Sequence, residues 1–263
     1  MTPHERHNTG HLRGDLKTRR RLLNPSRSAR VLVASRRSAG NDLVLGTILA
    51  AIAGAANVGG FFALGQYTSH MTGYLSAIAD QLTALNLWIA LLSVLAVAAF
   101  VSGSALSAFL INWGRDHVFR QQYALPLTIQ GGLLLGFSLC GTLPPDIGRV
   151  LGLVILCFIM GMQNATITNI SGARIRTTHA TGTVTDIGIE LGRVVYDRVW
   201  PDRGVAPDRV KLGILLKIIG MFVLGGIFGV IGFQLAGFMF AIPLAGVLFI
   251  LGLPGVVQSL AHS

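Results

Sequence analysis

Hydrophobic residues in this chain are collected into six long runs, which short polar stretches separate. A run of about 20 apolar residues is long enough to cross the roughly 30 Å hydrocarbon core of a bilayer as one helix. The pattern therefore predicts an all-α polytopic membrane protein with six transmembrane helices. Their expected positions are 42–64, 87–113, 124–140, 150–170, 212–233 and 235–253, with a kink at Pro243 in the last helix.

The composition agrees with this pattern. Hydrophobic residues make up 52% of the chain and charged residues 12%, whereas soluble domains carry about 25% charged residues. The two cysteines, Cys140 and Cys157, both lie in apolar runs and lack the spacing of a metal site. We therefore expect buried thiols, no disulfide framework, no metal and no cofactor.

Basic residues are distributed unevenly between the polar stretches, and this predicts the orientation in the membrane. Residues 1–42 carry ten Lys and Arg, and residues 171–211 carry seven more, whereas the stretches expected on the opposite side carry only Arg149. Cytoplasmic loops carry the excess of basic residues in membrane proteins. Both termini are therefore expected in the cytoplasm.

The chain divides into a tail and a membrane domain. Residues 1–41 are basic and poor in apolar periodicity, which predicts a disordered cytoplasmic tail that can contact anionic lipids. No aromatic or fold pattern supports nucleic-acid binding. The membrane domain is expected at 42–253, followed by a short cytoplasmic C-terminus at 254–263.

A polar motif, Ser/Thr-His-x-Thr-Gly-x-Leu/Val-Ser/Thr, occurs twice between apolar runs, at 69–76 and 178–185. A Gly-x-x-Asn motif precedes each copy. The aligned pairs are His70 with His179, Thr72 with Thr181, Gly73 with Gly182, and Asn57 with Asn164. Two halves, at about 43–141 and 150–253, would each contain three membrane helices, so that they cross in opposite senses. This predicts an inverted-topology internal repeat.

The helices that follow the two motifs are expected to differ from the six spans. About 13 residues follow Gly73 before the next apolar run, which at ~1.5 Å per residue is too short to cross a bilayer. A re-entrant or interfacial helix is predicted there. The helix after Gly182 is longer and more polar, which favours a position along the cytoplasmic face.

These motifs resemble those of a known family. Ser-His-Met-Thr-Gly at 69–73, Gly-Met-Gln-Asn at 161–164 and Arg-Thr-Thr-His-Ala-Thr-Gly at 176–182 are similar to the marks of the YoaK-type bacterial membrane proteins, a domain of unknown function. The resemblance covers about 42–253. It implies about six membrane helices in a bacterial cytoplasmic (inner) membrane, but no substrate. Tyr74 departs from it, since Asn is frequent there in the family.

The chemistry of the paired motifs favours a binding site. A Thr hydroxyl can cap a helix start, and a helix N-terminus favours an anion, to which a histidine adds a titratable donor. We therefore predict that both motifs, with Asn57 and Asn164, bind a small solute for which an anion is one candidate. In the structural alternative, Thr and Gly only turn the chain, and the histidines and amides bond within the fold.

Three acidic residues, Asp80, Asp186 and Glu190, lie within the helices that follow the motifs. Buried acids in a membrane protein would suit proton or cation coupling. Asp186 and Glu190 share one helix face with Arg193, however, so that a solvated stripe is the alternative.

The sequence contains no nucleophile elbow, phosphate loop or dinucleotide motif, so we do not expect an enzyme. A small-solute transporter or channel, with its site between the two His-x-Thr-Gly elements, is the function predicted first. The alternative is a non-transporting membrane scaffold that binds partners. Small-residue faces such as Gly225-x-x-x-Gly229 would also allow a homo-oligomer.

Overall fold

The computed structural model describes residues 39–116, 122–170 and 180–260. Residues 1–38 of the predicted disordered tail, and the position of His179, lie outside these residues, whereas residues 39–41 of that tail are helical. Within them every regular element is helical. The α-helices are α1 (Ala39–Leu64), α2 (Met71–Thr83), α3 (Leu87–Asp116), α4 (Ala124–Leu139), α5 (Pro145–Ile170), α6 (Ala180–Val199), α7 (Arg209–Ala236) and α8 (Ala241–Leu260). Short 3₁₀ turns occupy Cys140–Thr142, Pro201–Arg203 and Gly237–Phe240.

Five helical stretches are long and apolar enough to cross a membrane, among the residues described. They are Asp42–Phe61, Leu87–Asp116, Ala124–Thr142, Pro145–Asn169 and Arg209–Ser259. The predicted spans at 212–233 and 235–253 both fall in the last of these stretches, which has 51 residues and contains α7 and α8. Neither α2 nor α6 is among the five. The helical membrane class is therefore confirmed.

The junction between α7 and α8 lies at Gly237–Phe240 rather than at Gln234. Gly237 has φ of 55°, a left-handed conformation in which an L side chain is strained. Pro243 is the third residue of α8, where its missing N–H costs no helical hydrogen bond. The predicted kink at Pro243 is therefore wrong. Helix α8 also continues to Leu260, beyond the expected end of the membrane domain at 253.

Three helix pairs form the centre of the molecule. Helix α1 packs along α7, α3 along α5, and α4 along α8, while α1 also contacts α5. The side chains between them form one apolar core that includes Leu49, Leu127, Phe137, Met160 and Leu248. The two motif helices lie at the periphery, with α2 against α3 and α6 against α7.

Glycines allow the helix backbones of two of these pairs to come into direct contact. A Cβ atom on any of four glycines would overlap a carbonyl group of the facing helix. The contacts are Gly54 with Phe222 and Gly225 with Ala51 between α1 and α7, and Gly161 with Phe100 and Gly103 with Phe158 between α3 and α5. Small residues serve this purpose in membrane helices because they permit close van der Waals packing.

The motif Gly225-x-x-x-Gly229 is used within the chain. Gly229 faces the backbone of Ala55, so both glycines of the motif pack on α1. This face is therefore not available to a second copy of the chain.

Candidate functional site

A cavity of about 1310 Å³ lies between the beginnings of α2 and α6, with α1, α3, α5 and α7 forming other parts of its wall. Six of the residues predicted from the two motifs line it: Asn57, His70, Thr72, Asn164, Thr181 and Gly182. Sequence positions more than 100 residues apart thus meet at one cavity. Gly73 does not line it, and His179 lies outside the described residues.

Gly73 instead makes room for the imidazole of His70. A Cβ atom on Gly73 would overlap the His70 ring, because Gly73 sits one turn further along the start of α2. The lack of a side chain at position 73 therefore determines where the His70 ring lies.

The helix starts differ from the prediction in their capping. Helix α2 begins at Met71 with His70 at the N-cap, and no side chain makes a capping hydrogen bond there. Thr72 lies inside the first turn, so its predicted capping role is wrong. Helix α6 is described from Ala180, the position aligned with Met71, so Thr181 lies within the helix and is not its N-cap. Both Thr side chains are therefore available to the cavity rather than required as caps.

Asn57 holds the turn before α2 against α1. Its Oδ1 accepts hydrogen bonds from the Ser69 backbone N–H at 2.9 Å and from the Ser69 hydroxyl at 3.0 Å. Because Ser69 directly precedes His70, this pair of bonds fixes the entry to α2. Asn57 thus combines a structural role with its place on the cavity wall.

The three acidic residues do not line the cavity. Asp80 is exposed and accepts a hydrogen bond from Gln81, whereas Asp186 lies 3.6 Å from the Lys211 ammonium. Glu190 is fully buried, so a solvated stripe does not describe it.

Glu190 connects α6 to the beginning of α7. Its carboxylate accepts hydrogen bonds from Arg193 at 2.9 Å and from the backbone N–H of Asp208 at 3.0 Å, and lies 3.7 Å from Lys211. This arrangement satisfies the buried charge. It fixes the helix whose first turn reaches the cavity.

Tyr74 points into the packing between helices, not into the cavity. It is buried and forms a cluster with Ala96 and Ala99 of α3 and with Leu153 and Cys157 of α5. This burial raises the pKa of the Tyr74 hydroxyl, which therefore stays protonated. The residue that departs from the YoaK-type pattern thus docks α2 onto its neighbours.

Several cavity residues were not found from the sequence. The polar ones include Ser104, Thr168 and Asn169, and two aromatic ones are Phe100 and Phe222. The phenylalanines are 122 positions apart and share one environment, since the carbonyl of each contacts a glycine of a Gly-x-x-Asn motif. Following the repeat into the next apolar runs would have found this pair.

The all-helical fold with its five apolar stretches is that of a multi-pass membrane protein. A family model described as "Protein of unknown function (DUF1275)" matches residues 45–253, and the chain belongs to this family. The resemblance to the YoaK-type proteins is consistent with that match. Neither the curated proteins nor the solved structures contain a match to the chain.

Proposed function

We propose that this protein is a transporter or channel for a small solute, which binds in the cavity between the beginnings of α2 and α6. The observation that carries the proposal is the matched lining of this cavity. Four pairs of aligned positions contribute to it: Asn57 with Asn164, Met71 with Ala180, Thr72 with Thr181, and Phe100 with Phe222. Transporters built from internal repeats bind their solutes at the interface of the repeats.

The helix packing supports an internal repeat of α1–α4 and α5–α8. If the halves are related by a two-fold axis, the α1–α7 pair corresponds to the α5–α3 pair, and the α4–α8 pair corresponds to itself. The contacts agree with this relation in detail. Gly131 of α4 faces Phe249 of α8, and Gly252 of α8 faces Thr128 of α4. Gly252 is the residue 121 positions after Gly131, and Phe249 is the residue 121 positions after Thr128. The two contacts are therefore equivalent under the repeat.

We further propose that six helices cross the membrane and that the halves have opposite orientations. The stretch 209–259 has 51 residues, or about 77 Å of helix, which exceeds twice the roughly 30 Å hydrocarbon thickness. We therefore assign α7 and α8 to separate spans. Three spans per half then give an inverted repeat, in which α2 and α6 are re-entrant or interfacial. The basic residues favour cytoplasmic termini in a bacterial inner membrane.

The cavity favours an organic anion over a halide. Its volume of about 1310 Å³ is above the roughly 300–1,000 Å³ usual for small-molecule sites. The first turn of α2 offers backbone N–H groups and the positive end of a helix dipole, and Ala180, Thr181 and Gly182 of α6 line the same cavity. His70 and the two Asn side chains add hydrogen-bonding groups, while the two Phe residues offer apolar surface. A carboxylate or phosphate that carries an apolar portion fits this combination.

Uptake into proteoliposomes tests the proposal. A panel of labelled organic acids and phosphate esters would be screened with the wild-type protein, and the Phe100→Ala and Phe222→Ala variants would then be compared. Each variant is expected to reduce uptake at least several-fold, because each removes apolar surface from the site. Phe109→Ala is the matched control, since Phe109 lies on α3 and is 63% exposed away from the cavity.

If both cavity variants take up solute as the wild type does, the site assignment is wrong. If no member of the panel or any inorganic anion is taken up, the transport proposal itself fails. The scaffold alternative would then replace it, although no contact among the described residues favours that alternative now.

A further inference from the structure

We propose that His70 binds a proton and that the protein moves this proton together with its anionic solute. The inference rests on the proposed function and adds a second substrate to the same cavity. His70 directly precedes α2, is exposed, and lines the cavity together with Thr72. Histidine is the side chain whose charge changes between about pH 5 and pH 8.

The imidazole of His70 is free to take up and release a proton. It makes no hydrogen bond or ion pair with any residue that the structure describes, and it does not cap α2. The sequence left open that this histidine bonds within the fold, and the described residues contain no such bond. Thr72 and Thr181 also line the cavity, and their hydroxyl groups likewise have no partner in the described part of the chain. The free groups of both motifs thus line a space that a ligand can enter.

A charge on His70 would dominate the electrostatics of the cavity. No Asp, Glu, Lys or Arg is among the described residues that line it. Helices α1, α3, α5, α6 and α7 contribute amides, hydroxyls, backbone and apolar side chains. The turn before α2 contributes Tyr67, the other titratable group on the described wall, but a phenol does not change its charge near neutral pH. Among the described lining groups, a protonated His70 would therefore supply the positive charge for an anion.

An anion and a proton should bind in this cavity cooperatively. The His70 ring lies against Gly73 with its Nε2 on that side, beside the first turn of α2, where the positive end of the helix dipole disfavours a charged imidazole. An anion in the cavity reverses this balance, since opposite charges attract more strongly where little water screens them. By linkage, the proton strengthens binding of the anion by the same factor as the anion strengthens binding of the proton.

The pair can cross the protein more easily than either ion can alone. A net charge is costly to move through an apolar environment, whereas a monovalent anion beside a protonated imidazole is neutral as a pair. His70 would take its proton from water on the side where the solute enters and return it to water on the side where the solute leaves. A Lys or Arg at this position would stay charged at neutral pH and retain the anion, whereas a histidine can release it.

Uptake into proteoliposomes with an imposed pH gradient tests the coupling. The best-transported member of the panel of organic acids and phosphate esters would be offered at an external pH of about 6, with the interior at about pH 6 or about pH 8. We expect the gradient to raise accumulation by the wild type at least fivefold, and a protonophore to abolish the rise. Liposomes without protein correct for passive entry. His70→Gln should take up the solute slowly and to the same level with and without the gradient.

Tyr67→Phe is the matched control, because it changes the other titratable group of the described wall and leaves His70 in place. It should keep the response to the gradient. His70→Arg, which carries a permanent charge, decides the question if His70→Gln does not fold, and it should also lose the response. A response that persists in either His70 variant, or no response in the wild type, would overturn the proposal.

A binding measurement separates this proposal from the transport proposal. If the wild type takes up no member of the panel, the transport proposal fails. Thermal unfolding of the purified full-length protein with benzoate or benzenesulfonate, which both keep one negative charge from about pH 6 to pH 8, then decides whether His70 is a proton site. Stabilisation that is stronger at pH 6 in the wild type, but equal at both pH values in His70→Gln, would leave the site standing. Equal stabilisation of the wild type at both pH values, or none, would refute it.

Discussion

His70 depends on the glycine three residues later for its position at the cavity. The ring lies where a Cβ atom on Gly73 would otherwise be, and Asn57 fixes the preceding residue through Ser69. The sequence indicated these residues because the motif is duplicated. It could not indicate which of them line the cavity, since Gly73 acts through its neighbour and Thr72 is not the cap that its type suggested.

Replacing Gly73 with Ala should therefore displace the His70 imidazole while leaving the fold intact. We expect solute uptake to fall roughly tenfold, because the imidazole would leave its place on the cavity wall; in enzyme active sites a misplacement of about 1 Å can cost about a hundredfold. Gly188→Ala on α6 is the control, since open space surrounds that position. Uptake and the unfolding temperature would be measured together. Normal uptake by Gly73→Ala would show that the ring position is unimportant.

Element positions were predicted well because each long apolar run became a helix. The α7–α8 junction was misplaced because no strongly polar residue marks it, and the turn depends on the left-handed conformation of Gly237. Which helices pack against each other could not be predicted, because the α1–α7, α3–α5 and α4–α8 pairs join parts of the chain that are far apart in sequence. Equivalent positions of the two halves are 109 residues apart at the motifs and 122 residues apart at Phe100 and Phe222. The separation grows because α6 and the segment after it are longer than α2 and the turn after it.

The glycines at the helix crossings give a prediction about the elements. Gly54→Ala and Gly161→Ala would each push a Cβ atom into a facing carbonyl group, at Phe222 and Phe100 respectively. Each should destabilise the protein by about 1–3 kcal/mol, as overpacked sites do. Gly220→Ala on α7 meets nothing and should be neutral or slightly stabilising. Denaturant or thermal unfolding would measure this.

The two crossings should respond alike, because their contacts match. If only one of the two substitutions destabilises the protein, the equivalence of the α1–α7 and α3–α5 pairs would be contradicted.

At the scale of the whole molecule, the proposed inverted repeat predicts which loops face which side. The turn between α2 and α3 should be periplasmic, and the segment between α6 and α7 cytoplasmic. Leu85→Cys and Val205→Cys replace exposed residues in these two places. A membrane-impermeant thiol reagent should label Leu85→Cys in intact spheroplasts, and Val205→Cys only after permeabilisation. Labelling of both from the same side would overturn the six-span arrangement.

The central claim is that both halves of the chain form one solute pathway. Single cysteines at Thr72 and Thr181, in a background where Cys140 and Cys157 are replaced by Ala, would be modified with a small water-soluble thiol reagent. Gln81→Cys on the outer part of α2 serves as the control, since Gln81 does not line the cavity. Solute uptake into proteoliposomes is the measurement. We predict that modification at position 72 or at position 181 blocks uptake, whereas modification at position 81 does not. Uptake that continues after complete modification at both 72 and 181 would contradict the claim.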